Sequence, residues 1–334
     1  MNHSKLLFVI VAFVMLAALP FVSGQYGLDL ATKIMVSAIF ALSLELLVGT
    51  TGLVCFGQAA FLGIGAYSVV LLSPPDQAGS VLWLLPMSIL LTAVYAAAVG
   101  ALSLRTKGVY FIMVTLAFAQ MAYYVVHDTP LGGGTDGIYL LIKPVAGEWL
   151  DLDQPLSMYR FTLTCLVVTF VFLALLGRSR FGRVLAGIRV NEQRMRATGF
   201  STYPYKLAAF VISGALSGLA GFLFAVKDGF VNPELMSWHV SGEVLIIVIL
   251  GGLGHLRGAL VGAFAFALLQ EFFKSEALFG EFAKHWHLGL GCSIIASVAL
   301  LPRGLVGVPA QISARLSGGG LGDARNAGGI HGSV

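Results

Sequence analysis

The chain has 334 residues, 57% apolar and only 11% charged, with a formal net charge of +4. Soluble domains carry roughly 25% charged residues, so a water-soluble enzyme is excluded. The small positive excess belongs to loops and does not describe a nucleic-acid binder. Apolar runs of about 20 residues recur along most of the length, the pattern of membrane-spanning helices. Barrel strands would need alternating segments of about 10 residues, and none is visible. The expected fold class is an all-α polytopic membrane protein.

In chain order, Lys5 precedes an apolar run to about Val22. A basic start and small residues at Ser23-Gly24 also fit a signal peptide. An uncleaved first span is preferred, because the run is long enough to cross and the next follows closely. Further spans read as 28–49, 52–72, 81–103, 108–127, 156–177, 205–226, 241–254, 258–272 and 286–301. The runs 241–254 and 258–272 are short for a core of about 30 Å at 1.5 Å per residue. The expectation is therefore about eight to ten spans. Residues 1–310 form the transmembrane domain. Residues 311–334 form a cytoplasmic tail too poor in apolar residues to fold.

Loop charge orients the spans. Arg105, Lys107, the stretch 178–205 and Arg257 fall on one side if the N-terminus is cytoplasmic. The C-terminus is then cytoplasmic too. The opposite side carries Asp76 and the segment 128–155, with Asp128, Asp136, Glu148, Asp151 and Asp153 against Lys143.

Within 52–72, small residues at three- and four-residue steps permit close helix approach. Gln58 is a polar amide in an apolar run, either a packing hydrogen bond or part of a pathway wall with Phe61 and Gly65. Thr115 and Gln120 are the polar groups of the fifth span. Gly132-Gly-Gly-Thr-Asp-Gly137 formally matches GxGxxG but lacks the βαβ setting of a dinucleotide site. A flexible turn is the better reading, with Asp136 bonding local backbone.

The stretch Arg178 to Tyr205 is the most charged interruption in the chain. Arg178, Arg180, Arg183, Arg189, Arg194 and Arg196 stand there against Glu192. Phe181, Val184, Leu185 and Ile188 share one face of a short helix. That helix is either a docking element for a soluble partner or a basic connector that only fixes topology.

Beyond it, Ser213, Gly214, Ser217, Gly218 and Gly221 suit tight packing. Glu243 opens a short span, as a helix cap favoured by the dipole or as a contact for a passing ammonium group. His285 and His287 flank Trp286 at an expected interface. Cys55, Cys165 and Cys292 lie far apart in apolar runs, so neither a disulfide framework nor metal spacing exists. There is no GxxxxGK[ST], HExxH or GxSxG motif. No ATP-hydrolysing or other catalytic constellation is visible.

Gly182-Arg-Val-Leu-Ala-Gly-Ile-Arg-Val-Asn-Glu192, Ala197-Thr-Gly199 and Tyr205–Ala215 together resemble the coupling loop of ABC importer permeases. The nearest likeness is the LivM-like subunit of branched-chain amino acid importers. The stretches Gly52–Ser68, Arg105–Met121, Gly132–Gly137 and Gly251–Gly262 carry the same resemblance, which covers about residues 27–310. Two departures are plain. Arg194 and Met195 stand where the family usually has small residues, and Gln58 stands where a His is common. A Gln keeps the hydrogen bonding but does not titrate near neutral pH.

The resemblance implies a LivM/LivH-like permease fold in a bacterial cytoplasmic (inner) membrane, with no catalysis and no cofactor of its own. The implied partners are two ATP-binding ABC subunits, a second homologous permease and an extracytoplasmic substrate-binding protein. It assigns ATPase coupling to Phe181, Gly182, Arg183, Leu185, Ile188, Asn191, Glu192, Ala197 and Gly199. Phe181, Leu185 and Ile188 would insert into an ATPase groove as apolar anchors. The pathway would take Gln58, Phe61, Gly65, Thr115, Gln120 and Glu243. Gly134, Asp136 and Gly137 would meet the binding protein. The cargo implied is a branched-chain or related amino acid. Urea or a short amide is the alternative within the same architecture. An ion-coupled secondary transporter is the alternative of another class, but it would need an inverted repeat and more intramembrane ionisable residues.

Overall fold

The computed structural model describes residues 13, 15–21, 24–74, 77–146, 150–275, 280–301 and 304–307. The expected first span (5–22) and the tail (311–334) fall wholly or mostly outside the described residues. The rest is helical. In chain order these are α1 (Gln25–Glu45), a π-turn (Leu46–Thr51), α2 (Gln58–Leu72), α3 (Val81–Ser103), α4 (Val109–Asp128) and α5 (Pro155–Arg178). Two short helices follow, α6 (Arg180–Val190) and α7 (Glu192–Ala197). Then come α8 (Thr202–Asp228), α9 (Trp238–Gly251), α10 (Leu256–Lys274) and α11 (Trp286–Leu300).

Among the described residues, six helical segments are long and apolar enough to cross a membrane. α2, α9 and α11 are shorter apolar helices. The chain is an all-α polytopic membrane protein.

Burial sorts the helices. The apolar windows of α1 with its π-turn and of α8 are 83% and 72% buried, against 17% for α4. α1 and α8 therefore form the centre. α2 and α3 pack on α8, and α5, α9 and α10 pack on α1.

With no hydrophobic drive between helices in lipid, close packing needs small residues. A Cβ on Gly65 of α2 would lie 2.6 Å from the Gly218 carbonyl of α8. One on Gly221 would lie 2.0 Å from the Leu62 carbonyl. No side chain larger than hydrogen fits at either crossing.

The expected span 52–72 is helical only from Gln58. Gly52 takes φ 74°, which ends the π-turn, and residues 53–57 run non-helically to α2. Irregular backbone at that depth survives only when enclosed by protein. Here Phe56 N–H donates to Thr115 Oγ1 at 3.3 Å.

The loops separate cleanly by end. At the basic end, Tyr203 OH donates to the Ala101 carbonyl at 2.9 Å, and Arg189 reaches the Gly49 carbonyl. At the other end, Lys227 pairs with Asp29 at 3.0 Å and Lys143 with Asp153 at 3.1 Å. Two small ribbons also lie there. β1 (Ile138–Tyr139) is antiparallel to β4 (Phe230–Val231), with Ile138 opposite Val231. β2 (Val145–Ala146) is antiparallel to β3 (Leu150–Asp151).

Candidate functional site

The basic-end loop is built from two helices, not one. Ser179 caps α6, its Oγ accepting from Gly182 N–H at 3.2 Å. Asn191 leaves the helical region and caps α7, its Oδ1 accepting from Arg194 N–H at 2.9 Å. Side-chain caps of this kind satisfy the orphan amides of a helix start. Gly182 lets α6 fold back closely on α5, since a Cβ would stand 2.4 Å from the Leu176 carbonyl.

Glu192 ties the loop to the bundle. Its Oε1 accepts from Arg196 Nη2 at 2.6 Å, Thr202 Oγ1 at 2.9 Å and Lys206 Nζ at 3.0 Å. Lys206 is buried, its side chain 6% exposed. Burial works to raise the Glu192 carboxyl. The hydrogen bonds from Lys206, Thr202 and Arg196 and the Lys206 charge outweigh it and hold the group at about 2.

The structure places Leu185 and Ile188, expected to anchor a partner, inside this chain. They are 1% and 5% exposed within this chain. The Leu185–Ile188 side of α6 packs on the α5, α8 and π-turn surface beneath it. What the loop presents instead is a cleft of about 660 Å³ lined by Phe181, Val184, Met195, Phe200, Arg180 and Arg183. Phe181 stacks at a tilt on Tyr205, the ring centroids 5.7 Å apart. Phe181 and Arg183 thus belong to this surface. Ala197 and Gly199 are exposed beside it.

The six expected pathway residues do not converge. Gln58 is wholly buried at the start of α2. Its Nε2 lies 2.9 Å from Ser43 Oγ, 3.0 Å from Ser213 Oγ and 2.6 Å from Ser217 Oγ. Ser213 in turn donates to the Ser43 carbonyl at 2.6 Å. This is an interhelical polar seam joining α1, α2 and α8. Phe61, 1% exposed, packs edge-on against Tyr95 and Phe210. Gly65 sits at the α2–α8 crossing, and Thr115 is buried against the segment leading into α2. These four are packed into the contacts between α1, α2, α3, α4 and α8.

Gln120 stands apart. It lines a cleft of about 690 Å³ at the other end with Tyr123, Tyr124, Glu234, Trp238 and His239. Glu243 is exposed on α9. Ser237 holds the N-cap position of α9, so Glu243 lies beyond its first turn and is not the cap.

The glycine turn is confirmed in form. Gly134 and Gly137 have φ of 61° and 68°, which disfavours any side chain there. Asp136 makes a different bond from the one expected. Its carboxylate is exposed and accepts from Thr135 Oγ1 at 3.5 Å.

Sequence reasoning missed Glu45, Lys206 and the inward role of Arg189. Glu45 is 1% exposed, and a lone acid inside an apolar run was the available signal.

Comparison with known proteins gives a consistent result. A family model described as branched-chain amino acid transport system / permease component matches residues 26–288. The high-affinity branched-chain amino acid transport system permease protein LivM of Escherichia coli (strain K12) is 30% identical over 324 residues. That match spans 90% of this chain and 74% of that protein. LivM of Salmonella typhimurium (strain LT2) matches to the same extent. The autoinducer 2 import system permease protein LsrC of Escherichia coli (strain K12 / DH10B) is 28% identical over 43% of this chain and 44% of its own length. No solved structure matches.

Proposed function

Because the chain belongs to the family of branched-chain amino acid transport permease components, we propose that it is the LivM-like membrane subunit of an ATP-driven importer of branched-chain or related amino acids. The match over residues 26–288 carries this reading. The chain performs no covalent chemistry. ATP is hydrolysed by two separate ATP-binding subunits, a second homologous permease completes the membrane part, and a binding protein delivers cargo. The assembly sits in a bacterial inner membrane.

Arginine-rich loops stay on the cytoplasmic side, which supports a cytoplasmic position for α6 and α7 and, with it, for both termini. The ATPase docks on the cleft of Phe181, Val184, Met195 and Phe200, flanked by Arg180 and Arg183. Asn191, Glu192, Ala197 and Gly199 hold that surface in shape. Closure of the ATPases displaces α6 and α7, and α5 and α8 carry the displacement into the bundle as a rigid-body shift.

Cargo passes along the surface this chain shares with the second permease, not through its own seam. Lys33, Glu243 and Lys274 are exposed on apolar helices. Charged groups are not left facing hydrocarbon, so protein or water covers that face. Gln120 and Glu243 remain pathway residues under this reading. Gln58, Phe61, Gly65 and Thr115 support it from behind. The binding protein meets the turn of Gly134, Asp136 and Gly137.

The test is reconstitution of the complex in liposomes. The expected result is leucine uptake that needs both ATP and the binding protein, with ATPase retention lost in Val184→Glu combined with Phe200→Glu. Uptake of urea or short amides in place of amino acids would correct the cargo. Uptake that follows an ion gradient without ATP would overturn the reading.

A further inference from the structure

Arg189 lies at the end of α6, but its guanidinium turns back toward the bundle. Nη1 donates to the Gly49 carbonyl in the π-turn. The same nitrogen lies 3.0 Å from where a Cβ on Gly254 would stand, and the Arg189 Cγ lies 3.3 Å from that point on Gly52. One side chain, itself exposed, therefore reaches both the π-turn of α1 and the loop joining α9 to α10. That loop is conformationally permissive, with Gly252 and Gly254 at φ 114° and 85°.

Glu45 completes the arrangement from the α1 side. Its Oε1 lies against Gly49, the same residue whose carbonyl Arg189 binds. Its Oε2 has no hydrogen-bond partner among the described residues. The carboxylate lies over Gly49, where a Cβ would sit 1.9 Å from Oε1. A carboxylate here is a poor choice for stability. It stands inside a membrane-spanning helix, where an ionisable group is expensive. It is also desolvated, and an apolar residue of similar volume is usually no worse in such a place. The helix distorts into a π-turn at the same point, a feature common at functional sites.

We propose that Arg189 and Glu45 are positioning residues for transport. They lock α6 to the π-turn of α1 and to the α9–α10 loop, so that displacement of α6 reaches two further spans at once. The proposal rests on the importer reading above. It assigns a role to residues outside the partner-facing cleft.

The test uses the full complex in liposomes with wild type, Arg189→Met, Arg189→Lys, Glu45→Gln and the double variant Glu45→Gln/Arg189→Met. ATPase retention, ATP hydrolysis with cargo-loaded binding protein, and uptake per ATP hydrolysed are measured together. The expected result is wild-type retention of the ATPase with uptake per ATP at least 10-fold lower in Arg189→Met. The double variant should be no worse than the worse single one, because both break one linkage. If Arg189→Met does not accumulate, Arg189→Lys is read in its place. It keeps the charge but not the planar fork, and it should lose several-fold in the same ratio.

Uptake per ATP within twofold of wild type, or losses that multiply in the double variant, would overturn the proposal. So would losses that only track the amount of folded chain. Failure of wild type itself to couple uptake to ATP would instead sink the importer reading, and this proposal with it.

Discussion

Replacing Glu192 by Gln isolates what fastens α7 to the bundle. The substitution keeps size and shape but removes the charge that three donors share. Holding a carboxyl at about 2, where its ordinary value is 4.5, corresponds to about 3 kcal/mol at neutral pH. The side chain is 23% exposed, and solvent screening reduces this to about 1–2 kcal/mol. Lys206, 6% exposed, is meanwhile left without its counter-charge.

A cost of 1–2 kcal/mol is a factor of about 5–30 in local opening. Hydrogen exchange of the purified chain in detergent reads that factor directly. The α7 amides of Glu192–Ala197 should exchange about 5–30-fold faster in Glu192→Gln, while the α2 amides beside Gln58 stay within twofold. Adding Lys206→Met removes the stranded charge and should restore most of the protection.

The sign with pH follows from the depressed carboxyl. Its contribution is complete above about 4.5 and is lost as pH falls toward about 2. Exchange of α7 should therefore accelerate on acidification in wild type, after correction for intrinsic rates, but not in Glu192→Gln. Unchanged α7 exchange in the variant, or loss of protection spread evenly through α2, would refute the reasoning.

Gln58→Leu removes the amide that Ser43, Ser213 and Ser217 share, leaving those hydroxyls only their bonds to one another and to backbone, and should cost about 1 kcal/mol or more. Faster labelling of buried Cys55 by a thiol reagent reports it, and labelling at the wild-type rate would show that the seam is dispensable. Gly221→Val forces a side chain into the 2.0 Å gap to the Leu62 carbonyl. It should cost more than about 2 kcal/mol, and a melting temperature within about 2 °C of wild type would contradict the close crossing. Leu185→Asp should destabilise the isolated chain in detergent, because Leu185 packs inside it. An unfolded fraction equal to wild type would return Leu185 to the partner-facing surface.

Much of the fold was legible because the bilayer enforces it. Segments long and apolar enough to cross must be helices, since lipid offers no partner to backbone groups. The predicted run 81–103 and α3 coincide, and 156–177 and 286–301 fall within a residue of α5 and α11 at each end. Charge alone sorted the loops into a basic end and another.

Three-dimensional packing decided what periodicity could not. An amphipathic face says that a helix is covered on one side, not by what. The Leu185–Ile188 face is covered by its own chain, so the surface we propose for the partner lies instead around Val184 and Phe200. A polar residue in an apolar run says that it needs a partner, not whether water or serine provides it. Gln58 finds three serines on two other helices. Glu45 and Arg189 lie far apart in sequence, and nothing local to either predicts the other. Both lie against Gly49 of the π-turn, and Arg189 also lies against Gly254 of the α9–α10 loop, because tertiary contacts, not local propensity, bring distant residues to one place.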